Sequence, residues 1–330
     1  MMRAPGFWQG SGGGLLPLLL SPLAAFYAGT TARRMRRPGW RAPVPVICCG
    51  NATAGGAGKT TVALDIGRRL ANRGIAVHFL LRGYGGSLRG PLRVDPAAHD
   101  STEVGDEALL LAAERPAWIS ADRAAGARAA VAAGAQAIVM DDGLQNPTLE
   151  KDLSLLIVDG SYGFGNGHVI PAGPLREPVR AAAARSRAAV MIGADETRAG
   201  ALLPPGLPVL RAALKPGPEA ELLAGQPVFA FCGIANPPKF FSTLTEAGVV
   251  LAGREAFADH YPFDEGDMRD LLAEAEELRA IPVTTRKDWV RIPPAFRSRV
   301  TVVTVRLEWA EPAQIEALLE PLAQRIPVPA

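Results

Sequence analysis

The chain has 330 residues, enough for about two domains at ~150 residues each. Hydrophobic residues make up 48% of it and charged residues 21%, which excludes a mostly disordered chain. The 35 basic and 33 acidic residues nearly cancel, giving no electrostatic case for nucleic acid, and the only cysteines, Cys48, Cys49 and Cys232, exclude a disulfide framework or a zinc site.

Residues 15–27, LLPLLLSPLAAFY, form the most apolar stretch, and Arg33, Arg34, Arg36 and Arg37 follow it. Only Arg3 precedes it, the reverse of the charge order of a signal peptide. As a helix, these 13 residues would reach only ~20 Å, short of the ~30 Å of a bilayer core, and Pro17 and Pro22 are expected to break it. Two readings stay open from the segment alone. It is either an interfacial piece with its arginines on anionic lipid or a core helix with a solvated basic edge.

Apolar runs at residues 44–49, 75–81, 137–140, 153–158, 190–193 and 209–212 predict strands. Helical patterns alternate with them at 59–72 and 104–114, and from an Asp122 cap to about 133. This alternation predicts an α/β core with a mostly parallel sheet flanked by helices. A proline-rich passage at 204–218 reads as a boundary. Beyond it, strands at 228–232 and 300–305 and helices at 240–247, 268–279 and 312–322 predict a smaller α/β domain. The expected division is a membrane-associating segment at 1–42, a nucleotide-binding core at 43–215 and a closing domain at 216–330.

The strongest motif is Thr53-Ala54-Gly55-Gly56-Ala57-Gly58-Lys59-Thr60, set between a strand and a helix as a P-loop requires. Its glycines let backbone N–H groups wrap a phosphate, and the helix N-terminus adds partial positive charge. Lys59 is expected on the β- and γ-phosphates and the Thr60 hydroxyl on Mg²⁺. Thr53 stands where the usual pattern has its first glycine. The strand at 137–140 runs into Asp141-Asp142-Gly143, the place for a metal-binding carboxylate. Neighbouring strand residues face opposite ways, so which of the two aspartates meets the metal stays open. No guanine-reading Asn-Lys-x-Asp motif is found, so ATP is the expected nucleotide.

Ala54 stands where dimerising partition ATPases carry a signature lysine, which weighs against that class; an assembly or partition-type ATPase without a lipid acceptor is the alternative. Other segments decide better: Gly50-Asn51-Ala52, Arg82-Gly83-Tyr84-Gly85-Gly86, Val104-Gly105-Asp106-Glu107-Ala108, Asp141-Asp142-Gly143-Leu144-Gln145-Asn146, Phe164-Gly165-Asn166-Gly167, Pro171-Ala172-Gly173-Pro174-Leu175-Arg176-Glu177-Pro178 and Phe257-Ala258-Asp259-His260-Tyr261-Pro262-Phe263. In this order the set resembles the tetraacyldisaccharide 4′-kinases of lipid A biosynthesis, from the apolar N-terminus to about residue 290.

The resemblance implies phosphoryl transfer from ATP, with Mg²⁺, to the 4′-hydroxyl of an acylated glucosamine disaccharide 1-phosphate. The product would be lipid IV-A, made at the cytoplasmic face of the bacterial inner membrane. It implies an enzyme docked on an anionic membrane surface; a monomer is the expected state, which the sequence itself does not fix. It also implies Asp106 as the proton acceptor, His260 as its partner, and Glu177 as a metal-site acid beside Thr60, Asp141 and Asp142. Arg82, Tyr84, Asn166 and Arg176 become substrate contacts. On spacing alone, Asp106 would be a helix cap and His260 a turn or core histidine. The chain departs from the family pattern at Leu144, Asn146, Arg187 and Arg286, while Lys287 and Asp288 keep it.

Overall fold

A computed structural model describes residues 5–9 and 14–326. Its larger sheet has nine strands: β1 (Val46–Gly50), β2 (Val77–Leu81), β3 (Leu92–Arg93), β4 (Ala117–Ile119), β5 (Ala137–Asp141), β6 (Leu153–Asp159), β7 (Ala188–Ile192), β8 (Val209–Pro216) and β13 (Val305–Trp309). Their order is β13-β8-β7-β6-β1-β5-β2-β4-β3. All pairings are parallel except the two outermost, β13 on β8 and β3 on β4. The central strands β1, β2, β5 and β7 are buried along their whole length, so they read as continuous apolar runs rather than alternating ones.

Helices cover both faces. On one face, Val62, Ile66 and Leu70 of α2 (Lys59–Ala71) join the Asp106–Ala112 and Pro312–Ala323 helices over Ile47, Val139 and Leu155. On the other face, Ala127 and Ala130 of the Arg123–Ala132 helix and Leu144, Phe164 and Leu175 of the loops pack on Cys48, Met140 and Leu156. Asp122 does cap the Arg123–Ala132 helix, accepting from the N–H groups of Ala124 and Ala125.

A second, wholly parallel sheet holds β9 (Pro227–Cys232), β10 (Val250–Ala256), β11 (Ile281–Thr285) and β12 (Thr301–Val303), in the order β10-β9-β11-β12. The Pro237–Glu246 helix packs on one face through Phe240, Phe241 and Leu244. The Glu265–Glu277 helix packs on the other through Met268, Leu271 and Leu272.

The structure corrects the expected boundaries. Strand β8 lies inside the proline-rich passage, and the run expected as one strand at 300–305 is split at Thr304 between the two sheets. The second unit therefore does not run from 216 to the C-terminus. It leaves the core after β8 and returns at Thr304, where β13 and the Pro312–Ala323 helix rejoin the larger sheet. Its two ends are tied: Gly217 N–H donates to Thr304 O (2.8 Å), and the Thr304 hydroxyl donates to Glu219 (2.9 Å). The returning elements grip the P-loop helix, with Trp309 donating to Asp65 (2.7 Å) and Arg69 and Arg73 paired with Glu316.

The N-terminal segment is also corrected. Pro17 and Pro22 do not break it: α1 runs over Leu15–Met35, 21 residues, or about 31 Å. Pro17 lies in the first turn, where no intrahelical donor is needed. Only Pro17, Ala24 and Thr31, spaced by seven, are buried along α1, so it meets the body along one narrow seam. Trp40 docks the following chain by pairing with Thr148 and Glu150.

Candidate active site

The P-loop leaves β1 at the centre of the larger sheet, where parallel strands end and ligands of open α/β sheets bind. Gly58 is left-handed (φ 79°) where the loop turns into α2, and an added Cβ there would lie 2.6 Å from Ile192. The loop is held from behind by the Pro171–Pro178 segment. Ala54 N–H donates to Pro174 O and Arg176 N–H to Ala52 O, both 2.7 Å, and Thr53 bridges Leu175. Asn51 organises the interior, donating to Thr53 (3.0 Å) and Gly55 O (3.3 Å) and accepting from Lys59 Nζ (3.2 Å).

The two aspartates at the end of β5 part company, because Asp141 closes the strand and Asp142 already turns out of it. Asp141 is 2% exposed; its Oδ2 accepts the Thr60 hydroxyl at 2.7 Å, and its Oδ1 is buried without a hydrogen-bond partner. Burial, then the nearby Glu107 carboxylate, push its pKa up to about 7, against the opposing pull of Lys59 and Thr60. Asp142 adopts a left-handed backbone (φ 59°) and turns its carboxylate to Arg176 (2.7 and 2.9 Å), with Lys59 Nζ 3.7 Å away. Burial pushes the Asp142 carboxyl up, but the Lys59 and Arg176 charges outweigh it and hold it below the ordinary carboxylate range. Buried Arg123 donates to Asp142 O (3.2 Å), pinning that turn.

An orphaned carboxylate oxygen beside a threonine hydroxyl is a hard oxygen donor set. It fits Mg²⁺, which keeps few protein ligands and shares the rest of its shell with phosphates and water. Glu177 does not join this set. It is 2% exposed and its carboxylate is taken by Arg185 (2.5 Å to each oxygen) and Gln145 (2.8 Å). Gln145 Nε2 also donates to Asn51 O (2.9 Å), so Glu177 supports the P-loop from beneath. Asn166 likewise faces away from the cleft. Its amide donates to Phe7 O (3.0 Å) and Ala172 O (2.9 Å), and its oxygen accepts His168 N–H, which makes it the anchor of the 164–173 loop. Arg82 and Tyr84 lie exposed on the loop after β2.

The facing wall is shared between the core, through Asp106, and the second unit. Gly105 (φ 86°) turns the chain just before Asp106, where any Cβ would collide with Tyr84 O. Asp106 thereby sits at the first turn of its helix, 6% exposed, and does not cap that helix. His260, from 154 residues further on, brings Nδ1 to 2.7 Å from Asp106 Oδ2. His260 also has a left-handed backbone (φ 61°), rare for a non-glycine residue and held here by its N–H on Gly233 O (3.0 Å). Lys287 Nζ lies 3.3 Å from His260 Nε2, and Arg291 Nε lies 3.3 Å from Asp106 Oδ2. The structure brings together Asp106 and His260, which the resemblance named and spacing did not, whereas Arg123, Arg185 and Arg291 carried no signal by spacing.

The arrangement joins a glycine-rich loop and the half-satisfied Asp141 to a carboxylate–histidine pair contributed by two units. A model of the tetraacyldisaccharide-1-P 4′-kinase family matches residues 16–324. A tetraacyldisaccharide 4′-kinase of Gluconacetobacter diazotrophicus is 59% identical, covering 97% of this chain and 98% of its own length. That of Rhodospirillum rubrum is 53% identical, with the same coverage. Among solved structures, LpxK from Aquifex aeolicus, an "apo" form in complex with ATP, matches with a TM-score of 0.75 at 24% identity, covering 93% of this chain and 99% of that one. None of these likenesses favours an assembly-type ATPase. The order of motifs, the fold and this near-complete match agree: the chain belongs to the tetraacyldisaccharide 4′-kinase family, and its members are kinases.

Proposed function

We propose that the enzyme transfers the γ-phosphoryl group of ATP to the 4′-hydroxyl of a tetraacyldisaccharide 1-phosphate. A bond forms between the sugar oxygen and the γ-phosphorus, the bond to the β–γ bridging oxygen breaks, and ADP leaves. The observation that carries this reading is the Asp106–His260 pair (2.7 Å) in a family kinase that also carries Lys59, Thr60 and Asp141 on a P-loop floor. Lys59 and the loop N–H groups hold the phosphates. Thr60 and Asp141 would hold Mg²⁺, which would supply charge neutralisation at the phosphates. Asp106 takes the hydroxyl proton, a step worth ~10²–10⁴-fold. His260 holds that carboxylate in place. Arg176 tethers Asp142 and keeps it off the reacting phosphate. Arg82 and Tyr84 face the solvent beside the cleft, where an anionic sugar headgroup would arrive.

A four-chain lipid stays in its bilayer, so the enzyme has to come to it. Outside its buried seam, α1 leaves Leu15, Leu18, Leu19, Leu23 and Phe26 between 58% and 77% exposed. Burying each would gain ~1.5–3 kcal/mol, and Arg33, Arg34, Arg36 and Arg37 follow at the basic end to meet anionic headgroups. This supports docking on the cytoplasmic face of the inner membrane, where ATP is available.

The test is transfer of labelled phosphate from ATP with Mg²⁺ to tetraacyldisaccharide 1-phosphate in mixed micelles, with Lys59→Ala as control. Transfer lost in the control supports the reading. ATP hydrolysis without transfer would overturn it. Changing Leu18, Leu19, Leu23 and Phe26 together to serine, with the seam intact, should release the enzyme from anionic vesicles while ATP binding stays.

A further inference from the structure

We infer that Arg291 is a positioning residue for the phosphoryl transfer: it decides which oxygen of Asp106 is left to receive the hydroxyl proton. The inference rests on the reading of Asp106 as the base.

Arg291 follows the Arg286–Trp289 helix, and its side chain is 3% exposed. A guanidinium offers five N–H donors in a rigid fork. Here Nη1 donates to Tyr261 O (3.0 Å), and Nη2 to Gly233 O (3.0 Å) and Asp288 Oδ1 (2.8 Å). Nε donates to Lys287 O (3.3 Å) and lies at the same distance from Asp106 Oδ2. Every contact but the last stays within the second unit. Asp288, fully buried, locks the fork, because it also accepts Gly233 N–H (2.7 Å) and the Thr285 hydroxyl (2.5 Å). The guanidinium therefore cannot rotate, and the direction in which Nε points is set.

The same oxygen of Asp106 meets His260. His260 Nε2 faces Lys287 Nζ at 3.3 Å, a group with only protons to offer, and the Asp259 carboxylate at 3.8 Å, beyond hydrogen-bond reach, so Nε2 presents its lone pair to Lys287. Nδ1 must then carry the proton and donate to Asp106 Oδ2. Oδ2 thus accepts Nδ1–H of His260 and lies 3.3 Å from the locked guanidinium of Arg291 as an ion pair, the one Nε–H being given to Lys287 O, while Oδ1 takes no hydrogen bond from any described residue. Without Arg291 the carboxylate would be held at one point only and would be free to turn about its Cβ–Cγ bond. With it, a fixed positive charge holds Oδ2 on the side of the second unit, and Oδ1 is the free acceptor. Misplacing a reacting group by ~1 Å costs up to ~10²-fold, so Arg291→Gln should lower kcat by ~10–100-fold while leaving KM for ATP unchanged. Arg291→Lys should fall nearly as far, because it keeps the charge but not the fork.

The experiment is a cycle on the full-length enzyme in mixed micelles. Arg291→Gln is measured alone and in the Asp106→Asn background, with labelled ATP and tetraacyldisaccharide 1-phosphate. Without the base, the residual transfer should lie only ~10²–10⁴-fold down and remain countable. If Arg291 acts through Asp106, the second change costs under about twofold in that background. The same loss in both backgrounds would mean a structural role and overturn the inference, as would wild-type kcat in Arg291→Gln. Should Arg291→Gln not fold, Arg291→Lys runs the same cycle, since it keeps the stem and the charge in place. The two readings fail separately. Full transfer by Asp106→Asn removes the base assignment itself, whereas an impaired Asp106→Asn beside an unimpaired Arg291 variant removes only the positioning role.

Discussion

Each wall of the cleft buries an aspartate almost completely, Asp141 on the P-loop side and Asp288 on the second unit, and the two have opposite meanings. Asp288 is saturated: Gly233 N–H, Thr285 and Arg291 fill its carboxylate. Burial still pushes its pKa up, yet every partner it needs comes from its own unit. Asp141 is left with one oxygen buried and unpartnered beside a hydroxyl and a lysine. An unsatisfied buried acceptor costs about 1–3 kcal/mol, a cost that a saturated carboxylate avoids. Asp288 is scaffold and Asp141 is a place for a ligand. A buried acid therefore says little about function until its second oxygen has been followed.

The largest expected effect tests the ligand side. Lys59→Ala should remove at least ~10²–10³-fold of phosphoryl transfer, the usual cost of deleting one charge-stabilising donor at a transition state. It should do so without changing vesicle binding, because α1 is untouched. Asp288→Ala should behave in the reverse way, losing stability first. Denaturation of both variants in urea would break the contrast if Lys59→Ala proved the less stable of the two.

The next effect sharpens the pairing across the cleft. Asp106→Ala and His260→Ala should each lower kcat by ~10²–10⁴-fold, and the double variant should be little worse than the poorer single one, because the two act as one unit. A double variant that loses the full product of the two factors would mean independent roles.

The two walls also differ in how much the sequence disclosed. On the P-loop side, spacing is chemistry. Gly55, Gly58, Lys59 and Thr60 are neighbours in the chain, and a buried parallel strand announces itself as an apolar run ending in Asp141. The second wall is assembled from residues 154 positions apart, so no local pattern reveals it, and only the resemblance to a family marked Asp106 and His260. Arg291, in Trp-Val-Arg-Ile, looks like a surface arginine until three loops close around it. Strand β10 escaped notice because it is a largely exposed edge with no apolar face, and β11 because Pro282 sits in its second position. Thr304 split what reads as one apolar run for a purely tertiary reason, the tie to Gly217 that closes the neck of the second unit.

A smaller effect follows from the pKa of Asp141, raised to about 7 first by burial and then by Glu107. Between the ordinary carboxylate range and about 7, the unfolded chain has released this proton and the folded protein still holds it. Stability from this group is therefore present at low pH and lost as pH rises towards 7. Without nucleotide, the wild type should lose stability from pH 5 to 8 relative to Asp141→Asn, read by urea midpoints at both pH values. A difference of the opposite sign would mean that the folded protein already holds the carboxylate ionised.

The smallest effect concerns Arg286, where the family pattern carries glutamate. It reaches across the cleft to Glu114 at 3.8 Å, and Glu114 is already paired with Arg68 at 2.8 Å. Both arginines are about half exposed, so water screens the pair and its worth lies within ~0–1 kcal/mol. Arg286→Ala should therefore change kcat by less than about twofold and leave KM for the lipid alone. Arg286→Glu would set two carboxylates against each other across the same gap, yet Arg68 remains to neutralise Glu114, so its cost too should be slight and should vanish in 0.5 M salt, roughly, where the screening length falls below ~5 Å. A salt-resistant loss of kcat in either variant would mean that closure of the two walls depends on this surface pair rather than on the buried contacts of Asp106 with His260 and Arg291.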